Sequence, residues 1–117
     1  MVQNSNLKDE ILFSHLMLDL ETMGTKSNSA IISIGAVEFD ILTGKTGKEF
    51  YRNVSLQSCI SLGLVVDADT IMWWMEQSQD ARKSLTEGKV ISIQQALIDF
   101  REFYDKEYQV WGNSARF

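Results

Sequence analysis

Two apolar runs lying close together near the start of the chain constrain its fold more than any other feature. Residues 15–21 (HLMLDLE) form a short apolar run that stops at a Thr-Met-Gly-Thr break. Residues 30–40 (AIISIGAVEFD) are rich in Ile, Val and Phe with small residues between them. Short runs of this kind, bounded by polar turns, read as β-strands. The polar stretch 22–29 (TMGTKSNS) joins them. A Gly-containing turn at 42–47 follows, and 48–54 (KEFYRNV) alternates weakly as a third strand, so the second and third make a hairpin.

Beyond the strands the pattern becomes helical. Residues 55–68 read as a loop with a short helical turn. Asp69 is placed to cap a helix over 70–77 (TIMWWMEQ), a second short helix is expected over 78–86, and Gly88 punctuates. Residues 92–106 carry the strongest helical signal. Ser92 can cap it, and Ile93, Ala96, Leu97, Phe100, Phe103 and Tyr104 fall on one face. A fourth strand is expected at 108–111. Three antiparallel strands, then helices crossing to another strand, predict the opening half of an α/β three-layer domain. The 117 residues, 44% hydrophobic, suffice for one packed core, and no proline, repeat or linker divides it. Residues 1–13 are assigned as a polar N-terminal arm and 14–117 as the domain.

The chemistry concentrates at Asp19 and Glu21. On a strand, residues i and i+2 share a face, so Leu20 turns to the core while both acids turn away from it together. Their Cα atoms then lie roughly 6.5–7 Å apart. Two negative charges so close repel unless something positive sits between them. Oxygen ligands at this spacing suit hard cations such as Mg²⁺ or Mn²⁺. The competing reading is a pair of solvated acids at a strand end. Thr22 offers a hydroxyl to a phosphate or sugar, and Gly24 lets backbone approach a ligand.

Other conspicuous residues carry two readings or a structural one. Trp73 and Trp74 lie about 100° apart on a helix. One is expected to pack inward with Ile71 and the other to reach the surface; either could stack a terminal base. Met72 and Met75 read as core filler, and Trp111 as core at a strand end. Glu38 and Asp40 read as solvated acids at the hairpin mouth, Arg82 and Lys83 as a solvated pair, and His15 as an ordinary strand-edge residue. Asn113 could cap a following helix or touch a nucleotide.

Charge and composition narrow the function classes. The net charge of −5 is unsuited to non-specific adhesion to phosphate backbones, but not to an enzyme that meets nucleic acid through metal ions. The single cysteine, Cys59, allows no intrachain disulfide and fits a reducing, cytoplasmic setting as a small apolar packing residue. No apolar run approaches the ~20 residues of a membrane helix, and neither a signal peptide nor an anchor is expected.

LDLETMGT followed by AIISIGAVEFD resembles the first motif of the DEDD (DnaQ-like) superfamily of 3′–5′ exonucleases, with Asp19 and Glu21 on its first two acids. DTIMWWMEQSQDARKSL (69–85) and VWGNSARF (110–117) resemble the branch of phage and prophage exodeoxyribonuclease VIII-type enzymes and related bacterial exoribonucleases. The resemblance implies a ribonuclease H-like fold and two Mg²⁺ or Mn²⁺ ions, held in part by Asp19 and Glu21. It also implies a single-stranded or 3′-end DNA or RNA substrate. Thr22, Met23, Gly24, Trp73, Trp74 and Asn113 are its candidate contacts. In that family the third acid follows the segment matched by residues 112–117, and the general base and fourth acid lie further on. On this reading the chain is an incomplete exonuclease domain, inactive or nearly so alone, expected to self-associate over its uncovered edge. The alternative is a non-catalytic remnant that binds itself or a partner.

Overall fold

In the computed structural model, which describes residues 13–112, a five-stranded mixed sheet forms the middle layer. Strands β1 (His15–Thr22), β2 (Ile31–Phe39) and β3 (Thr46–Val54) are successive antiparallel neighbours. Helices α1 (Leu56–Ser61), α2 (Ala68–Met75) and α3 (Gln79–Ser84) follow. Then come β4 (Val90–Ile91), α4 (Ile93–Phe103) and β5 (Gln109–Gly112). The spatial order is β4-β3-β2-β1-β5, with β4 parallel to β3 and β5 parallel to β1. The expected α/β class and the antiparallel opening are therefore observed. The two-residue β4 was not expected; it is too short to show a period.

Strand alternation divides the sheet into two chemically different faces. Leu16, Ile34, Ala36, Phe50 and Val54 are buried on one face against Cys59 of α1 and Ile93 and Ala96 of α4, with Leu18 and Leu20 packed alongside. Helices α2 and α3 lie over one end of the other face, where Ser33 and Asn53 are buried, while Glu49 and Tyr51 on the same face stay exposed, so the third layer is partial. Ser55, Ser78 and Ser92 each accept a hydrogen bond from the main-chain N–H three residues on, capping α1, α3 and α4. Arg52 Nε ties β3 to α4 through Asp99 at 3.0 Å. Among the described residues no helix is long and apolar enough to cross a membrane.

Several expectations need correction. Helix α2 begins at Ala68 with Asp67 as its cap residue, so Asp69 lies in the first turn instead of before it. Helix α4 stops at Phe103, three residues early, because Tyr104 leaves the helix to set its ring between Phe100 and Tyr108. Leu97, assigned to the buried face, is exposed, as are Met72 and Met75 on α2 and Trp111 on β5. Glu38 is the reverse case: expected in solvent, it is 2% exposed. It accepts from Tyr108 Oη at 2.5 Å and from the Lys48 N–H at 2.9 Å, with Lys106 Nζ 3.5 Å away. Burial alone would push its carboxyl up; the donors and the nearby lysines outweigh that and hold it below the usual range. Gly47 sits against this cluster, where any Cβ would meet the Phe13 ring at 2.6 Å and Glu38 Oε1 at 2.7 Å.

Candidate active site

The site is built on the face of the sheet that α2 and α3 partly cover. Asp19 pairs with Gly35, and Gly35 with Tyr51; Glu21 pairs with Ser33, and Ser33 with Asn53. Two rows therefore run across the three central strands, and the missing side chain at Gly35 leaves open floor between Asp19 and Tyr51. A cavity of about 230 Å³ lies over this floor, with both acids in its lining. Trp74, Ala81 and Ser84 close it from above. The period-two expectation for Asp19 and Glu21 is thus met: they share one face and one compartment. The compartment is partly covered: both acids are half-buried, and Tyr51 on its wall is 53% exposed.

Trp74 is the dividing wall. Its indole N–H donates to the Thr22 carbonyl at 3.2 Å. That carbonyl follows the point between Glu21 and Thr22 where the β1–β2 register shifts. On the other side of Trp74 a larger cleft of about 500 Å³ is lined by Glu21, Thr22, Gly24, Asp69, Thr70 and Trp73, among others. Trp73 is 53% exposed, with its ring edge-on to Trp74 at 5.0 Å between centroids. So one tryptophan packs and one reaches the surface, as expected, but Trp74 packs over the acids, and Ile71 is exposed.

Electrostatics single out Glu21. Burial, and then the neighbouring Asp19, push its carboxyl above the usual range. Among the described residues nothing cationic lines either cavity. The donor set is two carboxylates, hard oxygen ligands matched to Mg²⁺ or Mn²⁺. Among the described residues no third His, Cys, Asp or Glu joins them in a metal-sized group.

The loop after β1 is rigidly laced. Met23 N–H donates to Ala30 O, and its carbonyl accepts from Asp67 N–H at 2.7 Å. Thr22 Oγ1, expected to face a ligand, instead donates to Gly24 O at 2.6 Å. Gly24 faces the Ser29 side chain, with which any Cβ would collide. Its lack of a side chain serves the loop's own packing, and its position keeps it on the rim of the larger cleft. Asn113 lies outside the described residues.

Residues 14–117 match the family described as the 3′-5′ exoribonuclease Rv2179c-like domain. The chain belongs to this Rv2179c-like family. No curated protein matches it. Among solved structures, the crystal structure of cell-death related nuclease 4 (CRN-4) is similar over 87% of this chain, at 12% sequence identity and a TM-score of 0.47. The chain spans 36% of that nuclease.

The sequence pattern does not single out three residues that the fold of this Rv2179c-like chain brings to the candidate site. Gly35 looked like a small residue inside a strand, although strand glycines often mark close approach to a ligand. Tyr51 and Asn53 lie on the site face of a strand whose alternation is weak. Asn53 is buried, and all of its donors and its acceptor are engaged within the fold.

Proposed function

We propose that Asp19 and Glu21 belong to a metal-dependent 3′–5′ exonuclease centre, where they share divalent cations, Mg²⁺ or Mn²⁺, two in the complete centre. The observation that carries this reading is the placement of both half-buried acids on one face in one partly covered compartment, where burial and Asp19 push the Glu21 carboxyl above its usual range. Two like charges held half-buried at neighbouring same-face positions repel each other, and a shared cation would relieve that repulsion. A bound cation supplies neutralisation of phosphate charge and an activated water. The protein's own contribution is to hold the two carboxylates on adjacent same-face positions, to exclude water with Trp74 and α3, and to offer Trp73 as a stacking surface for a terminal base.

The substrate we infer is single-stranded RNA or an RNA 3′ end. Membership of a family described by exoribonuclease activity favours the bacterial exoribonuclease side of the DEDD resemblance over the phage deoxyribonuclease side. The 117-residue polypeptide alone is proposed to turn over little. Two carboxylates hold Mg²⁺ weakly when no third anionic ligand joins them, and among the described residues none does.

Binding and hydrolysis of a 5′-labelled single-stranded RNA in Mn²⁺, compared with the same strand in DNA, test the proposal. Mn²⁺-dependent binding of the labelled strand that Asp19→Ala abolishes is the expected result. Equal binding by wild type and Asp19→Ala would sink it. Turnover by wild type that Asp19→Ala removes would show instead that the chain is active as it stands.

A second reading, a self-associating or partner-binding module, is favoured by one observation. Val110 and Trp111 on the edge strand β5 are each 42% exposed, and an apolar edge invites pairing. Sedimentation over a wide concentration range distinguishes it: a monomer throughout would count against this reading.

A further inference from the structure

Asn53 is 5% exposed on the face that carries the acids, in the same cross-strand row as Glu21. Its side chain makes three hydrogen bonds. Nδ2 donates to the Ser84 carbonyl at 3.2 Å and to the Glu87 carbonyl at 2.7 Å. Oδ1 accepts from Tyr51 Oη at 2.9 Å. The amide orientation follows from these partners, since two carbonyls need donors and a hydroxyl can supply one.

Both carbonyls belong to the last turn of α3 and the segment just after it, so Asn53 is the bolt that fastens α3 to the sheet. Ala81 and Ser84 of α3 form part of the roof over Asp19 and Glu21, and Tyr51 forms part of the wall. Helix α3 has only six residues, none of them buried, and lacks an apolar face that would seat it unaided. Besides the half-buried Leu85 at its C-terminal cap, the two Asn53 bonds are what fix its height above the acids. The same amide fixes the Tyr51 phenol, whose proton is committed to Oδ1 and whose oxygen keeps only acceptor capacity.

We propose that Asn53 is a positioning residue of the carboxylate compartment: it acts through α3 and Tyr51 to hold the walls around Asp19 and Glu21 in the geometry that binds a divalent cation. This inference rests on the metal reading above. Partners one shell away from a ligand typically change metal affinity about 10–100-fold when removed. A hinged roof in place of a direct ligand contact points to the lower end, about tenfold.

The test is Mn²⁺ binding to the 117-residue chain, followed by water-proton relaxation and by quenching of tryptophan fluorescence. The variants are wild type, Asp19→Ala, Asn53→Leu and Asn53→Ser, with Ile93→Val as a control on the opposite face of the sheet. Asn53→Leu keeps the branched shape, though it is larger, and removes every donor without adding charge; Asn53→Ser serves if Leu is not accommodated, and circular dichroism reports whether each folds. Weakening of Mn²⁺ binding by about tenfold in a folded Asn53 variant is expected, with Ile93→Val unchanged even where its thermal stability falls as far. Wild-type affinity in a folded Asn53 variant overturns this inference alone, as does equal weakening by Ile93→Val. If neither Asn53 variant folds, Asn53 is a requirement of the fold, and the inference fails. Wild type that binds no better than Asp19→Ala overturns the metal reading, and this inference with it.

Discussion

The indole N–H of Trp74 donates to the main-chain carbonyl of Thr22, at the end of the strand that carries Asp19 and Glu21. This bond joins α2 to β1 where their sequence positions differ by 52 residues. It also satisfies a carbonyl at a break in the β1–β2 register, where the ladder could leave it unpaired.

The two adjacent tryptophans should therefore behave differently. Trp74→Phe keeps most of the ring but loses the donor and is expected to cost about 1 kcal/mol. Trp74→Ala also opens the roof and should cost about 2–3 kcal/mol. Trp73→Ala removes an exposed ring and should change stability by less than about 0.5 kcal/mol, yet weaken binding of a single-stranded oligonucleotide by roughly 1 kcal/mol or more. Urea denaturation gives the first set and fluorescence anisotropy the second. A large stability loss in Trp73→Ala would mean that its ring is structural.

Gly24→Ala and Gly47→Ala should each destabilise, by about 1–3 kcal/mol as overpacking substitutions do. At position 24 the new methyl displaces the buried Ser29, whose hydroxyl accepts from Lys26 N–H at 3.0 Å and closes the loop beside the acids. At position 47 it strikes the Phe13 ring and the Glu38 carboxylate together. Thermal melts of the two variants check this, with Gly63→Ala as a different case: its cost comes from a φ of 92° and not from crowding. Only Gly24→Ala is expected also to disturb Mn²⁺ binding.

What the sequence made legible follows the range of the physics. The three antiparallel strands and the shared face of Asp19 and Glu21 depend on a local period of two, and both were readable. The helix of Ile93–Phe103 was readable from its cap and stripe. Glu38 was misread because its partner Tyr108 lies 70 residues away and no local pattern signals it. Met72 and Met75 were misplaced because α2 is apolar nearly all round, so its sequence does not say which side meets the sheet. Asn53 was invisible for the same reason as Glu38: its value lies in carbonyls more than 30 residues downstream.

The Glu38 cluster predicts an acid-labile fold. Its carboxyl sits below the usual 4.5 in the folded chain, so its contribution to stability is fully present above that value. It is lost as pH falls through the lower folded value. Tyr108, whose phenol burial and Glu38 push well above its ordinary pKa, remains a donor throughout. Tyr108→Phe should cost about 1.5–3 kcal/mol at pH 7, the range for a hydrogen bond to a charged group. The same variant should lose less than wild type between pH 5 and pH 3, because less of the carboxylate's stabilisation is left to remove. Urea midpoints across that range measure both effects; parallel curves for the two proteins would refute the assignment.

Asp19 and Glu21 should trade stability for cation binding. Burial and Asp19 raise the Glu21 carboxyl above its unfolded value, so its contribution to stability, present below the unfolded value, is lost as pH rises through the raised folded one. Glu21→Gln removes that penalty and should raise the melting temperature of the metal-free chain at pH 7 by up to a few degrees. Asp19→Asn should do the same, by relieving the repulsion from the other side. Mn²⁺ reverses the order. At a tenfold excess over its dissociation constant it should stabilise wild type by about 1.4 kcal/mol and leave either variant almost unmoved. Melting curves with and without Mn²⁺, at pH 7 and constant ionic strength, give all six values. A wild type that is the most stable of the three without metal and gains nothing from Mn²⁺ would mean that the acids are held by the fold for its own sake, and no cation would be needed to explain their placement.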